Sequence, residues 1–361
     1  MILVTGGAGF VGSNLAISLA DRYPDWEIVA LDNLHRRGSE LNPPRLERAG
    51  VRFVRGDVRE PDDLGQFAGV EALIECSAEP AATSGLDGET SFVFHTNLTG
   101  AYNCLELARR EGSFFLFLST SRVYPVAALN ELAYSEGETR FELADEQPLS
   151  GAGPAGISED FPLDGARTLY GSTKLAAELM IEEYRAMFGL RAAVDRCGVI
   201  AGPWQMGKVD QGVFAHWLLS HRFGLPLSYI GYGGEGKQVR DLLHVEDLAD
   251  LIEAQLTDPQ RWDGEVVNVG GGREISLSLL ETTTLCRELT GAEVPISAEP
   301  QGRPGDVPVY LSDCTRLFER TDWRPRRSAG QTLADLNDWI DGHSSELQQS
   351  LGIGGGKRRV G

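Results

Sequence analysis

The feature that most constrains this chain is the glycine-rich segment GGAGFVG at residues 6–12, which directly follows a short apolar stretch at residues 2–5. The apolar stretch predicts a strand, and the residues after the glycines predict a helix through about Ala20. A glycine turn between a strand and a helix lets backbone amides approach a pyrophosphate at the helix N-terminus, where the helix dipole favours an anion. The segment therefore predicts the start of a dinucleotide-binding fold.

A carboxylate follows at the position where such a fold needs one. A second strand is predicted at residues 27–31, and it ends at Asp32. In a dinucleotide fold this carboxylate accepts hydrogen bonds from the adenosine ribose diol. Asp32 favours NAD over NADP, because a 2′-phosphate would meet a like charge. The basic segment His-Arg-Arg at residues 35–37 is able to reach such a phosphate, so NADP stays open as the alternative.

Predicted strands and helices alternate through the first half of the chain. Further apolar stretches lie at residues 51–54, 72–76, 114–118 and 191–196, and a long helix is predicted over residues 92–110. This alternation predicts an α/β fold of the Rossmann type, with a doubly wound parallel sheet. Ligands bind at the carboxyl edge of such sheets. A run of hydroxyl-bearing residues at 119–124 is expected at that edge.

The domain organisation follows from where this pattern changes. We predict an NAD-binding Rossmann domain over residues 1–200, to which residues 241–270 return. Residues 201–240 and 271–345 are predicted to form a smaller C-terminal substrate-binding domain, followed by a flexible tail at 346–361. The long polar insertion between Pro125 and Ala166 is expected to be a lid or rim.

Composition excludes several classes of partner. The formal net charge of -20, from 33 basic and 53 acidic side chains, argues against nucleic acid or an anionic membrane as a partner. No apolar run reaches the roughly 18 residues that a membrane span requires, and we expect no signal peptide. The five cysteines are odd in number and lack metal-ligand spacing, so we expect no metal site and reduced thiols in a cytoplasmic protein.

A tyrosine and a lysine form the candidate acid/base pair. Tyr170 and Lys174 are four residues apart in a segment whose apolar spacing predicts a helix over residues 172–188, so both lie on one face. A phenol is a poor base at neutral pH, but a nearby ammonium group favours the phenolate and lowers the phenol pKa. Such a pair can take a proton from a sugar hydroxyl and return it. The alternative is an aromatic side chain packed under a surface lysine.

Taken together, the motifs resemble the extended short-chain dehydrogenase/reductase family, in its NAD-dependent nucleotide-sugar epimerase and dehydratase branch. They occur in that family's order: TGGxGxxG at 5–12, DNL at 32–34, GDV at 56–58, Asn97, ST at 119–120, VY at 123–124, YxxxK at 170–174, GP at 202–203 and RDxxHVxD at 240–247. Within the family, the nearest resemblance is to the CDP-tyvelose (CDP-paratose 2-) epimerases. It is carried by ETRF at 138–141, VDQG at 209–212 and GKQVRD at 236–241.

The resemblance implies a role for each matching position. Thr120 hydrogen-bonds the reacting hydroxyl, Tyr170 is the acid/base, and Lys174 holds the nicotinamide ribose while lowering the pKa of Tyr170. Contacts with NAD are expected from Gly6, Gly9, Phe10, Val11, Gly12, Asp32, Asn33, Asp57, Val58, Cys76, Ser77, Ala78, Asn97, Tyr170, Lys174 and Val199. Contacts with a nucleotide-diphosphate sugar are expected from Glu79, Ser121, Arg122, Gln205, Lys208, Gln211, Arg240, Arg303 and Asp306. Arg240 and Arg303 would clamp the diphosphate, which suits the guanidinium fork.

The chain departs from the family's common pattern at two places near the expected ligands. ECSA stands at residues 75–78, where many relatives have HLAA. AGP stands at residues 201–203, where YGP is common. These departures bear on the details of the substrate more than on the fold.

The residues after the predicted catalytic threonine discriminate among reactions. Dehydratases of the resembled family carry an Asp-Glu pair there, and related decarboxylases place a glutamate at the second position, whereas this chain has Ser121 and Arg122. Because a guanidinium cation cannot serve as the base, we expect an epimerase. Such an enzyme oxidises the sugar with bound NAD, lets the keto sugar turn and returns the hydride to the opposite face.

The predicted substrate and oligomeric state rest on the family resemblance alone. The best match is inversion at C2 of a CDP-6-deoxyhexose. A UDP-sugar 4-epimerase, an NAD(P)-dependent nucleotide-sugar reductase and a non-catalytic NAD-binding regulator are the alternatives. The family also implies a homodimer or homotetramer, formed through the predicted helices that contain Phe92 and Tyr170.

Overall fold

The computed structural model describes residues 1–81, 84–86, 88–207 and 212–352. The strands are β1 Ile2–Thr5, β2 Ile28–Asp32, β3 Arg52–Arg55, β4 Ala72–Glu75, β5 Phe114–Thr120, β6 Tyr134–Glu136, β7 Phe141–Leu143, β8 Ala152–Gly153, β9 Gly156–Ile157, β10 Ala192–Cys197, β11 Val199–Ala201, β12 Leu227–Ile230, β13 Val239–His244, β14 Val266–Val269, β15 Ser276–Ser278, β16 Ile296–Glu299 and β17 Val309–Tyr310. The α-helices are α1 Phe10–Arg22, α2 Pro43–Arg48, α3 Pro61–Gly65, α4 Thr90–Phe94, α5 Gly100–Glu111, α6 Val126–Asn130, α7 Leu169–Phe188, α8 Val213–Phe223, α9 Val245–Thr257, α10 Pro259–Trp262, α11 Leu279–Thr290, α12 Thr315–Arg320, α13 Ala329–Gly342 and α14 Ser344–Leu351.

A seven-stranded parallel sheet forms the centre of the molecule, with strand order β14-β10-β5-β4-β1-β2-β3. The chain runs from β1 outward through β2 to β3, and then crosses back to place β4 on the other side of β1. Strand order therefore reverses beside β1, and the crevice at the carboxyl ends of the strands there is where this architecture binds ligands. The predicted doubly wound Rossmann-type sheet is confirmed.

Helices cover both faces of this sheet. One apolar cluster joins α1 and α9 to the sheet through side chains such as Leu15 and Leu251. The other joins α5 and α7 to the opposite face through side chains such as Leu105 and Ile181. Burial on both faces explains why β4 and β5 are nearly continuous apolar runs rather than alternating ones.

The second half of the chain builds smaller sheets beside the carboxyl edge of the large one. β13 pairs with β11, β15 and β17, and β12 pairs with β16. Helices α8, α11 and α13 pack over these strands around Trp217, Cys286 and Trp339. β14 returns to the edge of the large sheet. The division into a cofactor domain and a substrate domain, with the boundaries given above, stays a prediction.

Residues 346–351, which were predicted to belong to a flexible tail, lie in a helix. Helix α14 continues to Leu351, because Leu347 is buried in the cluster around α8 and α13. Residues 353–361 lie outside the described part of the chain. The predicted helix over residues 92–110 is α4 and α5, joined without a break by a π-helical turn at His95–Thr99.

The polar insertion between Pro125 and Ala166 is fastened to the rest of the protein. Phe141, Ile157 and Phe161 belong to an apolar cluster that includes Val309 and Leu311. The Thr139 hydroxyl donates to Glu281 at 2.7 Å, the Ser278 hydroxyl donates to the Thr139 carbonyl at 2.8 Å, and Arg140 donates to Ser276 at 2.6 Å. These contacts favour a rim over a moving lid.

Three further observations concern the described residues as a whole. None of their helices has the length and apolar character needed to cross a membrane. Within those same ranges no group of three or more His, Cys, Asp or Glu side chains is arranged to hold a metal ion. All five cysteines are free thiols.

A buried carboxyl group in β10 makes stability depend on pH. Asp195 is fully buried and accepts a hydrogen bond from Gln255 at 2.8 Å, and burial raises the pKa of Asp195 to about 7. In the unfolded chain this pKa is about 3.9, so the folded protein binds the proton more tightly and loses stability as pH rises from about 4 through about 7. Asp195 Oδ2 and Gln255 Oε1 are buried and have no hydrogen-bond partner among the described residues.

We therefore expect Asp195→Asn to raise the melting temperature at about pH 8, by about 3 °C or more, because the amide has no charge to bury. The advantage over the wild type should shrink as the pH is lowered toward about 5, where the wild-type carboxyl is protonated. Thermal melts at several pH values check this, and a constant offset at every pH would contradict it.

Candidate active site

A cavity of about 680 Å³ opens at the carboxyl edge of the large sheet. Its walls come from the loop between β1 and α1, the end of β5, the first turn of α7 and the smaller sheets. The predicted site residues that line it are Gly6, Gly9, Phe10, Val11, Gly12, Cys76, Ala78, Thr120, Ser121, Arg122, Tyr170, Val199, Gln205, Arg240, Arg303 and Asp306. The fold therefore brings together candidate cofactor, acid/base and substrate groups that are as much as 300 residues apart in the chain.

The glycine loop has a shape that side chains would fill. Gly6 has a φ of 62°, and a Cβ atom there would lie 2.8 Å from the Cys76 carbonyl oxygen. A Cβ atom on Gly12 would lie 2.3 Å from the Gly6 carbonyl oxygen. Gly9 is the N-cap of α1, so the first amides of that helix point into the cavity. Such a cradle fits a pyrophosphate.

The predicted ribose and adenine residues lie beside this loop, outside the main cavity. Asp32 ends β2 and accepts hydrogen bonds from the backbone amides of Ala8 at 3.1 Å and Leu34 at 2.7 Å. Burial raises the pKa of Asp32, against these backbone hydrogen bonds. The carboxylate thereby bridges the glycine loop and the end of β2.

Asp57 is held in its ionised form. It accepts hydrogen bonds from Asn33 at 2.8 Å and from the Arg59 side chain at 2.6 Å. Burial works to raise the pKa of Asp57, but these hydrogen bonds outweigh it and lower the pKa to about 2. Val58 packs under Gly100 at the start of α5. Asp57 and Val58 thus hold the end of β3 against α5.

A close helix contact places Tyr170 at the end of β5. Thr168 caps α7, and its hydroxyl accepts a hydrogen bond from the Gly171 amide at 3.2 Å. A Cβ atom on Gly171 would lie only 2.0 Å from the Arg122 carbonyl oxygen, so glycine is needed for this approach. The approach lets Tyr170 hydrogen-bond Thr120. Thr120 in turn accepts a hydrogen bond from the Arg122 amide at 3.2 Å.

The pKa of Tyr170 moves in the direction opposite to the prediction. Burial raises it to about 12, against the lowering effects of the Thr120 hydrogen bond and the Arg122 cation. The expected lowering by Lys174 is not found in the protein without ligands, because burial is the largest influence.

Lys174 lies behind the cavity wall, in contact with a residue that we did not predict. Its Nζ atom is 3.2 Å from Glu75 Oε2 and 3.8 Å from the centre of the Phe117 ring. The side chains of Lys174 and Glu75 are 2% and 1% exposed. The available signal was the departure from HLAA, since Glu75 is the first residue of ECSA.

Asn97 and its neighbours shape the loop after β4. Asn97 is buried, accepts a hydrogen bond from the Glu79 amide at 2.7 Å and donates one to the Thr173 hydroxyl at 3.1 Å. The Glu79 carboxylate accepts a hydrogen bond from Ser84 at 3.0 Å. The Ser77 amide lies against Gly6. Asn97 therefore ties this loop to α7, while direct ligand contacts by Asn97, Ser77 and Glu79 stay predictions.

Three arginines line the cavity beyond Tyr170. Arg122 donates to the Gly305 carbonyl at 2.7 Å, and Arg240 donates to Asp306 at 2.7 Å. Arg303 lies in the same wall. Burial, and then the neighbouring Arg240 cation, lower the pKa of Arg122. The acidic protein thus concentrates positive charge at one place, which suits an anionic ligand.

Three other residues, Gln205, Lys208 and Gln211, were predicted to contact the substrate. Gln205 lines the cavity and donates to the Ile200 carbonyl at 2.8 Å. Lys208 and Gln211 lie outside the described residues. Of the described residues that line the cavity, Asp306 and Glu299 alone carry carboxylates. Asp306 is paired with Arg240.

The sequence and the structure have known relatives. Residues 2–270 match the profile of the NAD dependent epimerase/dehydratase family. The chain is 31% identical to a CDP-paratose 2-epimerase from Salmonella typhi, over 94% of this chain and 98% of that protein. It is 26% identical to a dTDP-glucose 4,6-dehydratase from Mycobacterium tuberculosis, over 95% and 94% of the two chains. The structure of a Thermus thermophilus UDP-glucose 4-epimerase in complex with NAD superimposes with a TM-score of 0.76 at 25% identity, covering 94% of this chain and 99% of that one.

Proposed function

The chain belongs to the NAD-dependent epimerase/dehydratase family, and we propose that within this family it is a nucleotide-sugar epimerase that uses NAD. One observation supports epimerisation over elimination. Ser121 and Arg122 follow Thr120 in the cavity wall, where a dehydratase would need an acid and a base. Of the two cavity carboxylates in the described chain, Asp306 is neutralised by Arg240 and Glu299 comes from β16, so neither replaces that pair.

The residues around the glycine loop fit NAD. The N-terminal amides of α1 would hold the pyrophosphate, and the Asp32 carboxylate would accept from the ribose diol. When bound, NAD supplies a group that accepts a hydride from the sugar and returns it. The anionic Asp32 disfavours a 2′-phosphate, which supports NAD over NADP. Arg36 and Arg37 border a small pocket next to Gly9, so NADP is the alternative that a binding comparison must include.

Proton transfer is assigned to Tyr170 and Thr120. Thr120 is fixed by the Arg122 amide and hydrogen-bonds Tyr170, so a substrate hydroxyl beside both groups can pass its proton to the phenolic oxygen. With a pKa of about 12, Tyr170 is protonated at neutral pH in the protein alone. The phenolate must therefore be stabilised in the complex, and Arg122 is the cation in the cavity wall beside it.

The arginines in the cavity wall indicate where the diphosphate of the substrate would bind. Arg240 and Arg303 would bind the diphosphate, since guanidinium groups pair well with phosphate oxygens. Arg240 keeps its bond to Asp306, which holds its side chain in place. Ser121, Arg122 and Gln205 line the same cavity and would contact the sugar.

The proposed substrate is a CDP-6-deoxyhexose that is inverted at C2. Its support is the 31% identity to a CDP-paratose 2-epimerase over nearly the whole chain. A UDP-sugar 4-epimerase is the second candidate, and its support is the likeness to the Thermus thermophilus structure. A nucleotide-sugar reductase would need free NAD(P)H for each turnover, and a non-catalytic regulator would turn over nothing.

A panel of CDP- and UDP-sugars, incubated with the enzyme and read by NMR, tests these alternatives. We expect inversion at one carbon of a CDP-6-deoxyhexose without added cofactor. Inversion of a UDP-sugar at C4 would move the assignment to the second candidate. Net reduction that depends on added NAD(P)H, or loss of water from the sugar, would contradict an epimerase.

We also propose a cytoplasmic location and action on small molecules alone. The five free thiols support the location, since such compartments keep cysteines reduced. The net charge of -20 disfavours polyanionic partners.

An exposed apolar face supports a homodimer or a homotetramer built from such dimers. Leu179, Met187 and Phe188 on α7 are 58%, 68% and 51% exposed, and Tyr102 on the adjacent α5 is 46% exposed. We expect Leu179→Glu combined with Met187→Glu to give monomers, because the charges would be buried in the interface. Light scattering after size exclusion measures this. Tyr134→Glu, on the rim and 39% exposed, is the matched control that should keep the wild-type assembly.

A further inference from the structure

A buried ion pair lies directly behind the proposed acid/base residue. Glu75 is the last residue of β4 and is fully buried, and Lys174 lies one helical turn after Tyr170 on α7. The two charged groups meet at 3.2 Å, with the ammonium group resting on the Phe117 ring. Glu75 Oε1 has no hydrogen-bond partner among the described residues. One carboxylate oxygen is therefore committed to Lys174 and the other is left unsatisfied.

Such an arrangement is costly unless each charge compensates the other. A buried carboxylate or ammonium group loses its hydration, and removing one partner leaves an unpaired charge in a region of low dielectric constant. Burial raises the pKa of Glu75, while the Lys174 cation favours its ionised form. The pair as a whole is neutral, although Lys174 alone would favour the phenolate of Tyr170.

We propose that Glu75 is a positioning residue that holds the Lys174 ammonium group behind the cavity wall and cancels its electrostatic effect on Tyr170. Tyr170 then keeps its proton until ligands enter. The proposal rests on the proposed function only for the role of Tyr170 as the acid/base. The charge coupling itself is a property of the protein without ligands.

Few other charges act on Tyr170 from the elements packed around it. Arg122, from the loop after β5, is a cation that lowers the pKa of Tyr170, and Glu75, from β4, raises it. Cys197 at the end of β10 also faces Tyr170, and Cys76 adjoins Glu75. Burial raises the pKa of both thiols well above the usual range, so both stay neutral.

Further groups face Glu75 itself. The Ser77 hydroxyl and amide face its carboxylate and act to lower its pKa, and the Cys104 thiol on α5 is near it. Burial raises the pKa of Cys104 well above its usual range, so this thiol is also neutral. Arg122 and Glu75 therefore act on the pKa of Tyr170 in opposite directions, and Lys174 is the charge paired with Glu75 in the described structure.

The test is a titration of Tyr170 in Glu75→Gln, which keeps the shape of the side chain and removes its charge. Tyrosine labelled with ¹³C at the ring carbon that bears the hydroxyl reports ionisation by NMR, and loss of one signal in Tyr170→Phe assigns it. We expect the Tyr170 pKa to fall by about one unit, which gives roughly a tenfold larger phenolate fraction at about pH 10.5 than in the wild type. An unchanged signal, or a shift toward the protonated form, would overturn the proposal.

Glu178→Gln is the matched control. Glu178 lies one turn after Lys174 on α7, and its buried ion pair is with Arg196, at 2.8 Å, rather than with Lys174. We expect this variant to leave the Tyr170 signal where it is in the wild type. An equal shift in both variants would show that any lost buried charge has this effect, and would overturn the assignment to Glu75.

A double variant keeps the test decisive if Glu75→Gln does not fold. Glu75→Gln combined with Lys174→Met carries no lone buried charge, and its Tyr170 should ionise as in the wild type because both are neutral behind the cavity. Earlier ionisation in the double variant would mean that Lys174 had no effect for Glu75 to cancel. These measurements need no substrate, so their failure leaves the result of the sugar panel untouched, and failure of the panel leaves them valid.

Discussion

Replacing Tyr170 with phenylalanine is expected to lower kcat by about 10³-fold while the fold and the bound NAD are retained. The ring fills the same volume, but the hydroxyl proposed to exchange a proton with a substrate hydroxyl beside Thr120 is lost. Because the phenolic oxygen acts mainly in the transition state, KM should change far less than kcat. Turnover, NAD content and the melting temperature are the three measurements.

Tyr184→Phe is the matched control for this variant. Tyr184 lies on the same helix, and its hydroxyl donates to Glu106 at 2.5 Å, away from the cavity. Removing that hydroxyl should leave kcat within about twofold of the wild type. Turnover near the wild-type rate in Tyr170→Phe would exclude Tyr170 as the acid/base.

Gly12→Ala is expected to weaken NAD binding at least about tenfold, because the methyl group has no room. Its Cβ atom would lie 2.3 Å from the Gly6 carbonyl oxygen and 2.9 Å from Gly7 Cα. The backbone turn would have to open, which moves the first amides of α1 away from the pyrophosphate position. NAD released from the purified, denatured protein measures the loss.

Gly65→Ala serves as the control for the glycine substitution. Gly65 is the last residue of α3, and a Cβ atom there would have no neighbour within 4 Å. This variant should keep the wild-type NAD content and melting temperature. Wild-type NAD content in Gly12→Ala would show that the glycine loop does not form the cofactor site.

The fold was predictable because its determinants are local. Apolar runs such as residues 114–118 need burial on both faces, and the glycine segment at residues 6–12 needs a strand before it and a helix after it. The same patterns predict that the hydroxyl-bearing segment at residues 119–124, which includes Thr120, lies at the carboxyl edge of the sheet. The family comparison confirms the same architecture.

The charge environment of Tyr170 was not predictable from the spacing of Tyr170 and Lys174. Spacing of four residues places two side chains on one helix face, but it does not say what covers that face. The structure half-buries Tyr170 in the cavity wall and pairs Lys174 with Glu75, which comes from a strand about 100 residues earlier. Loss of hydration in the cavity wall has the largest effect on the Tyr170 pKa. The direction of the pKa shift could therefore be known only once the cavity was described.

The contact between α7 and the loop after β5 shows the same limit. Gly171 directly precedes the helix predicted over residues 172–188, and the local sequence does not show that a Cβ atom there would lie 2.0 Å from the Arg122 carbonyl oxygen. The insertion likewise has polar composition, but Phe141 and Ile157 fasten it to the smaller sheets. Long-range packing of this kind is not encoded in local periodicity.

We propose that this protein inverts one carbon of a nucleotide sugar by oxidation and re-reduction, with Tyr170 exchanging the hydroxyl proton. The most direct test is the reaction of the preferred CDP- or UDP-sugar in D₂O, followed by ¹H NMR. Oxidation and re-reduction return the carbon-bound hydrogen that was removed, so we predict an inverted product with no deuterium at that carbon. Deuterium at the inverted carbon would show that the carbon had been deprotonated and reprotonated from solvent, which would rule out a cycle of oxidation and re-reduction.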